Sequence, residues 1–140
     1  MHSQNYASLM LEQTHVSTLL NKRMDACLSI HGLSFTEFVI IHKLYSAEGG
    51  SLSRIGLADS VGLTASGVTR LLAPMTKNNI TLKIDNPKDA RQSLVGLTSA
   101  GNELYKNALS SFEHCCNAAF SLLDEDEILQ LLKLLNKIKC

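Results

Sequence analysis

Tryptophan is absent from this chain, and only four phenylalanines and three tyrosines stand among its 140 residues. A module that stacks single-stranded bases on successive rings needs more aromatic surface than this. Net charge is lacking as well. Thirteen Lys/Arg balance thirteen Asp/Glu, so total charge argues neither for nor against a nucleic-acid partner. No apolar run approaches the roughly 18 residues of a membrane span. The opening stretch MHSQNYASLMLEQ has neither a basic start nor a small-residue cleavage site, so a cytoplasmic protein with no membrane partner is expected.

The four cysteines, Cys27, Cys115, Cys116 and Cys140, show no CxxC spacing, which speaks against a zinc site and a thioredoxin-like pair. Buried or inert thiols are the expectation: Cys27 and Cys115 packed, Cys116 beside the latter, Cys140 at a free end. His15, His31, His42 and His114 have no ligand-like spacing, and His42, on an apolar helix, reads as a hydrogen-bonded core residue. No metal and no cofactor is expected. GxSxG, HExxH and a phosphate loop are all missing, so the chain does not read as an enzyme.

What is present organises around residues 53–75, SRIGLADSVGLTASGVTRLLAPM. Ser53 can cap a first short helix whose Ile55, Leu57, Ala58 and Val61 are assigned to one side, and Gly62 suits a sharp helix end because it takes positive φ without steric cost. Thr64 can cap a second helix, in which Val68, Leu71, Leu72 and Met75 fall at i, i+3, i+4 and i+7 and form one inward stripe. Ser66 and Arg70 point away from that stripe and Thr69 flanks it. A small polar outer face lets a helix enter a major groove, although a solvated helix of an all-α domain has the same pattern. Charge distribution adds to the first reading. Residues 54–91 hold six Lys/Arg against three Asp/Glu, whereas both flanking stretches carry an acidic excess.

At this length one domain is expected. Residues 5–31 form a long helical segment with Leu9, Val16, Leu20, Met24 and Cys27 or Leu28 at helical spacing, too polar at its start to stand alone and so a candidate dimer arm. Gly32 ends it. Ser34 with Glu37 makes a capping box and Leu33 with Phe38 a hydrophobic staple, opening a helix that Gly49-Gly50 stops. After the two central helices, alternating runs 80–84 and 93–97 flank a turn holding Asn86-Pro87, Asp85, Lys88, Asp89 and Arg91, which reads as a hairpin with a charged tip. Arg91 suits a minor groove, and Asp89 would steady its guanidinium; an ordinary exposed turn with a surface ion pair is the plainer reading.

Thr98 can cap the next helix, in which Leu104, Ala108, Phe112, Cys115, Ala119 and Leu122 form a near-heptad seam. Asp124 and Glu127 make a second capping box. The last helix carries Ile128, Leu129, Leu131, Leu132, Leu134, Leu135 and Ile138 around most of its girth, more apolar surface than one domain covers, and a symmetric partner is the simplest supplier of the rest.

The order of elements resembles the MarR family of bacterial transcription regulators over nearly the whole chain. Asp89-Ala90-Arg91 with Leu97-Thr98-Ser99-Ala100-Gly101 looks like the family's D-x-R wing signature and the L-T-x-x-G that follows it. Leu57-Ala58, Gly62-Leu63-Thr64 and Val68-Thr69-Arg70-Leu71-Leu72 look like its helix-turn-helix. The departures are Ala90 where a second arginine is common, Asn79 for a glycine before the wing, Lys83 for an arginine, and Gly67 with Pro74 in the second helix. Gly67 costs about 1 kcal/mol relative to Ala, and Pro74 is expected to kink or end the helix.

The resemblance implies a mainly α fold with a small β-hairpin wing, in a single domain spanning 1–140. In it, 34–97 would be the winged helix-turn-helix DNA-binding region, and 5–33 and 98–140 N- and C-terminal dimerisation helices. It implies a homodimeric transcriptional regulator, a repressor of a pseudo-palindromic operator on double-stranded DNA, released by a small-molecule effector or by oxidation. Ser66, Thr69 and Arg70 would read the major groove, Arg91 the minor groove with Asp89 orienting it, and Lys83 or Lys88 would touch phosphates. The alternative is a winged-helix protein-interaction module, an anti-regulator or adaptor with weakened DNA binding. Ala90 and Pro74 are its support.

Overall fold

A computed structural model describes residues 2–139, so Cys140 lies outside the described residues. Helix α1 spans His2–Leu28 and passes through a short 3-10 turn, Ser29–His31, to Gly32, whose φ of 71° lets the chain reverse. Helix α2, Phe35–Ser46, starts on the expected capping box: Ser34 Oγ accepts from the Glu37 N–H at 3.1 Å, and Glu37 Oε1 accepts from the Ser34 N–H at 2.9 Å. Asp25 of α1 adds a further acceptor, 2.7 Å from the Phe35 N–H, and so joins the two helices.

A short strand β1, Ser51–Ser53, precedes α3, Arg54–Val61, and α4, Ala65–Lys77. Strand β2, Thr81–Asp85, and β3, Ser93–Leu97, form the hairpin, and the antiparallel sheet has the order β1-β3-β2. Strand β1 is an element that three polar-flanked residues do not announce in sequence; it exists because Ser51, Leu52 and Ser53 pair with Gly96, Val95 and Leu94. Helices α5, Ser99–Ala119, and α6, Glu125–Lys139, complete the chain.

The core lies where α2, α3, α4, α5 and β3 meet. Phe38, Ile40, Ile41, Leu44, Leu57, Val68, Leu72 and Met75 are all buried there. Between α2 and α5 the rings form a ladder: Phe38 lies 4.7 Å from Phe112 and 5.7 Å from Tyr105, and Tyr45 stacks on Tyr105 at 4.3 Å. Such contacts add to the area buried by each ring.

Several expectations are corrected. Ile55 is exposed, because it stands two residues, about 200° of helical turn, from buried Leu57 and so cannot share its side. Leu122 is 97 % exposed and off the seam: α5 ends at Ala119, and the chain turns through Phe120 first. His42 is hydrogen-bonded but at the surface, with Nδ1 2.8 Å from the Tyr105 hydroxyl, since Ile41 takes the inward position next to it. Pro74 does not end α4, which continues to Lys77. The carbonyl it leaves without a helical donor belongs to Arg70, on the solvent side, where water can replace the bond.

The cysteine expectation is overturned most plainly. Cys27 and Cys115 are not packed thiols but a disulfide joining α1 to α5, with Cα atoms 6.6 Å apart. Cys116 remains a free, half-buried thiol.

One end of α1 and all of α6 leave the core. Tyr6, Leu9, Met10, Leu11, Val16 and Leu19 are exposed, and none of the residues of α6 is buried. Leu131, Leu132, Leu134 and Leu135 are each 42–53 % exposed. Among the described residues no single helix is long and apolar enough to cross a membrane.

Candidate nucleic-acid interface

The helix-turn-helix is built by local rules. Ser53 Oγ accepts from the Gly56 N–H at 3.0 Å and closes the first turn of α3. Gly62 ends that helix at φ 72°, its N–H returning to the Ala58 carbonyl, and Leu63 N–H donates to the same oxygen. A left-handed residue here costs glycine nothing and other side chains a good deal. Thr64 then caps α4, accepting from the Gly67 N–H at 3.0 Å.

With Val68, Leu72 and Met75 buried, the outer face of α4 shows Ser66, Thr69 and Arg70, all exposed. Ser66 Oγ lies 3.3 Å from the Thr64 hydroxyl, so the first polar group of that face is held by the cap itself. Gly67 has a local reason as well: a Cβ there would come within 3.1 Å of Thr64 Oγ1 and crowd the cap.

The hairpin is anchored at its base. Asn79 adopts φ 61°, the one non-glycine residue with positive φ among the described residues, and so performs the glycine's role at this bend. Thr98 Oγ1 donates to the Asn79 carbonyl at 2.6 Å, and the Thr98 N–H donates to Ile80 at 3.0 Å. Thr98 also caps α5 through the Gly101 N–H at 2.9 Å. A side chain at Gly101 would collide with the Ile80 carbonyl. The L-T-x-x-G pattern thus fixes the wing against α5 by one cap and one close approach.

At the tip, Asn86 Oδ1 accepts from the Lys88 N–H at 3.0 Å, and Asp89 Oδ1 accepts from the Arg91 N–H at the same distance. The same Asp89 oxygen lies 3.5 Å from Arg91 Nε, and the Arg91 side chain is 94 % exposed. So exposed an ion pair adds little stability, but it limits the orientations of the guanidinium. Lys83 is exposed on β2, opposite Val95. The seven residues expected from sequence therefore divide into two groups, Ser66, Thr69 and Arg70 on α4 and Lys83, Lys88, Asp89 and Arg91 on the wing.

Sequence reasoning missed what joins the wing to the helix-turn-helix. A cleft of about 200 Å³ is lined by Ser53, Arg54, Ile55, Arg91, Gln92 and Ser93. Its only sequence signal is the short S-L-S before α3, uninformative until it pairs with β3. A second, open cleft of about 440 Å³ lies over the disulfide, lined by Cys27, Ile30, Ser110, Ser111, His114 and Cys115. Beside it, His31 Nε2 and the Ser111 hydroxyl are 2.9 Å apart. Burial, reinforced by Glu113, holds the Cys116 thiol above its ordinary range, which keeps it protonated and slow to attack its neighbours.

No family model matches the chain. Over 107 residues it is 32 % identical to the uncharacterized HTH-type transcriptional regulator YkoM of Bacillus subtilis, covering 76 % of this chain and 68 % of that protein. A mutant MarR of E. coli complexed with operator DNA has the same fold, with a TM-score of 0.88 at 18 % identity, over 96 % of this chain and 95 % of that one. A MarR family transcriptional regulator of Streptomyces coelicolor in complex with DNA gives 0.87 at 21 % identity, over 95 % and 88 %.

Proposed function

The chain belongs to the MarR family of winged helix-turn-helix transcription regulators, and from that premise we propose that it is a homodimeric repressor of a pseudo-palindromic site on double-stranded DNA. The observation that carries this reading is the outer face of α4: a capped, well-packed helix exposing Ser66, Thr69 and Arg70 with no large apolar side chain beside them, and an arginine-tipped hairpin following it. Residues 34–97 form the DNA-binding region. Ser66, Thr69 and Arg70 read base edges, Arg91 enters the minor groove held by Asp89, and Lys83 and Lys88 meet phosphates. Residues 5–33 and 98–140 form the dimerisation helices, since the exposed apolar faces of α1 and α6 need a cover that one chain does not supply.

Release of the DNA is assigned to a small-molecule effector or to oxidation. The Cys27–Cys115 pair supports the second: in a cytoplasmic protein a disulfide is usually transient, and this one lies beneath an open cleft. Its formation from two thiols transfers two electrons and two protons to an oxidant such as a peroxide. The rival reading, a protein-interaction module, keeps Ala90 as support but loses the broken helix, because α4 runs unbroken past Pro74.

Selection of bound duplexes from a random pool, followed by binding of the selected site in reduced and oxidised protein, tests this function. A palindromic site bound more tightly in one redox state is the expected result. Failure to bind any duplex at low salt would leave the interaction module, and equal affinity in both states would leave the small-molecule effector alone. Sedimentation of the intact chain and of one lacking 124–140 tests the dimer; a monomer at micromolar concentration that still binds tightly rules it out.

A further inference from the structure

We propose that the cleft between α3 and the wing is a phosphate seat, in which Arg54 holds one phosphodiester of the bound duplex beside the groove that Arg91 enters; this rests on the DNA-binding reading above. The site is created by register. Ser53 pairs with Leu94, so the first residue of α3 is set beside the start of β3, next to Gln92 and Ser93 and within reach of the wing arginine. Arg54 and Arg91 both line the same small cleft, and no acidic residue does. Asp89 lies near Arg91, but among the described residues no acidic group pairs with Arg54.

Arg54 is also left incomplete by the protein. Its Nε is buried and has no hydrogen-bond partner among the described residues. A buried donor without an acceptor is costly and rare in folded proteins, and a guanidinium asks for planar oxygen pairs above all. With Nε closed off, a ligand meets the outer guanidinium nitrogens, which have no hydrogen-bond or ion-pair partner among the described residues, and the fitting ligand is an anionic oxygen acceptor small enough for about 200 Å³. The positive end of the α3 dipole favours the same charge. A phosphodiester meets all of these conditions, and its position would fix the wing relative to the helix-turn-helix at the moment of docking. Arg54 is thus a positioning residue, uninformative about base sequence.

The test compares the salt dependence of duplex binding for the natural chain, Arg54→Gln and Arg54→Lys. Loss of one phosphate contact per protomer should make the slope of log K against log salt shallower by about 2 per dimer in Arg54→Gln. Specific and random duplexes should lose affinity by the same factor, and Arg54→Lys should keep most of the slope. A folded Arg54→Gln with an unchanged slope overturns the proposal.

Should Arg54→Gln fail to fold, the natural chain still decides. The Arg54 Nε–H resonance, identified by its absence in Arg54→Lys, must shift when duplex is added, and a resonance that stays in place overturns the assignment. If the natural chain binds no duplex, the DNA-binding reading itself fails. A shift on titration with inorganic phosphate alone would then reassign the cleft to a free anion, against the phosphodiester proposed.

Discussion

Breaking the Cys27–Cys115 bond should cost this protein much of its stability. The bond spans 88 residues of sequence. On the loop-entropy account, cross-linking a loop of that size restricts the unfolded chain by about 4.5 kcal/mol, and loss of native disulfides ranges over roughly 2–5 kcal/mol. Little in the folded state offsets this. A freed Cys27 thiol would find the Ser111 carbonyl 3.3 Å from its sulfur, a weak donor for one acceptor. With a urea m-value of about 2 kcal/mol/M for a domain of this size, the unfolding midpoint should fall by about 2 M.

The assay is urea denaturation at one fixed protein concentration, with and without reductant, on the natural chain and on Cys115→Ser. Reductant should lower the first midpoint to that of the variant and leave the variant where it is. Alkylation of the unreduced protein, unfolded in urea, should mark Cys116 and spare Cys27 and Cys115. Ready alkylation of both, or identical midpoints with and without reductant, refutes the reasoning.

Arg91→Ala should weaken binding to specific and random duplex alike, and lower the salt slope by about 2 per dimer. An unchanged slope removes Arg91 from the interface. Ser66→Ala or Thr69→Ala should instead lower the ratio of specific to non-specific affinity, with each base-edge contact worth roughly 1–3 kcal/mol, while random duplex binds as before. Titration of the phenolates should show Tyr105 ionising above the ordinary tyrosine range. Burial, then Tyr45, then Glu113 raise its pKa above the ordinary value of about 10. The folded state thus holds that proton more firmly than the unfolded chain. Its contribution to stability is complete below about pH 10 and is lost as the pH rises through the folded value. Tyr105→Phe should remove this alkaline component from the pH dependence of unfolding.

The features legible in sequence were those set by a few neighbouring residues. Ser34 with Glu37, Thr64, Thr98 and Asp124 with Glu127 all cap their helices, and Asn79 takes the positive φ of the glycine it replaces. Each is settled within four residues, where backbone donors must find an acceptor. Features that depend on distant segments were not legible. Strand β1 exists through its pairing with β3, and the Arg54 cleft exists through that strand. Cys27 and Cys115 each occupy an inward position on its own helix, and nothing in either helix records that the other faces it. Ile55 was a different failure: its chemistry is apolar, but its place on the helix is not, and the angular position decides burial.

Helix α5 links the two parts of the proposed regulator mechanically. Near its start, the Thr98 bonds and the close approach of Gly101 to the Ile80 carbonyl tie it to the base of the wing. Fourteen residues on, Cys115 ties it to α1, and at 1.5 Å per residue the two attachments are about 21 Å apart. A packed helix moves as a rod, so a tilt of about 5° at one attachment moves the other by about 2 Å. That is enough to separate a guanidinium from a phosphate it touches, because charge-assisted hydrogen bonds need oxygen within about 3 Å. Redox chemistry at Cys27 and Cys115 therefore need not occur near DNA to act on it. Of the proposed DNA contacts, those most sensitive to such a tilt are the wing's, Arg91 first, because the base of the wing is bonded to Thr98 at the start of α5.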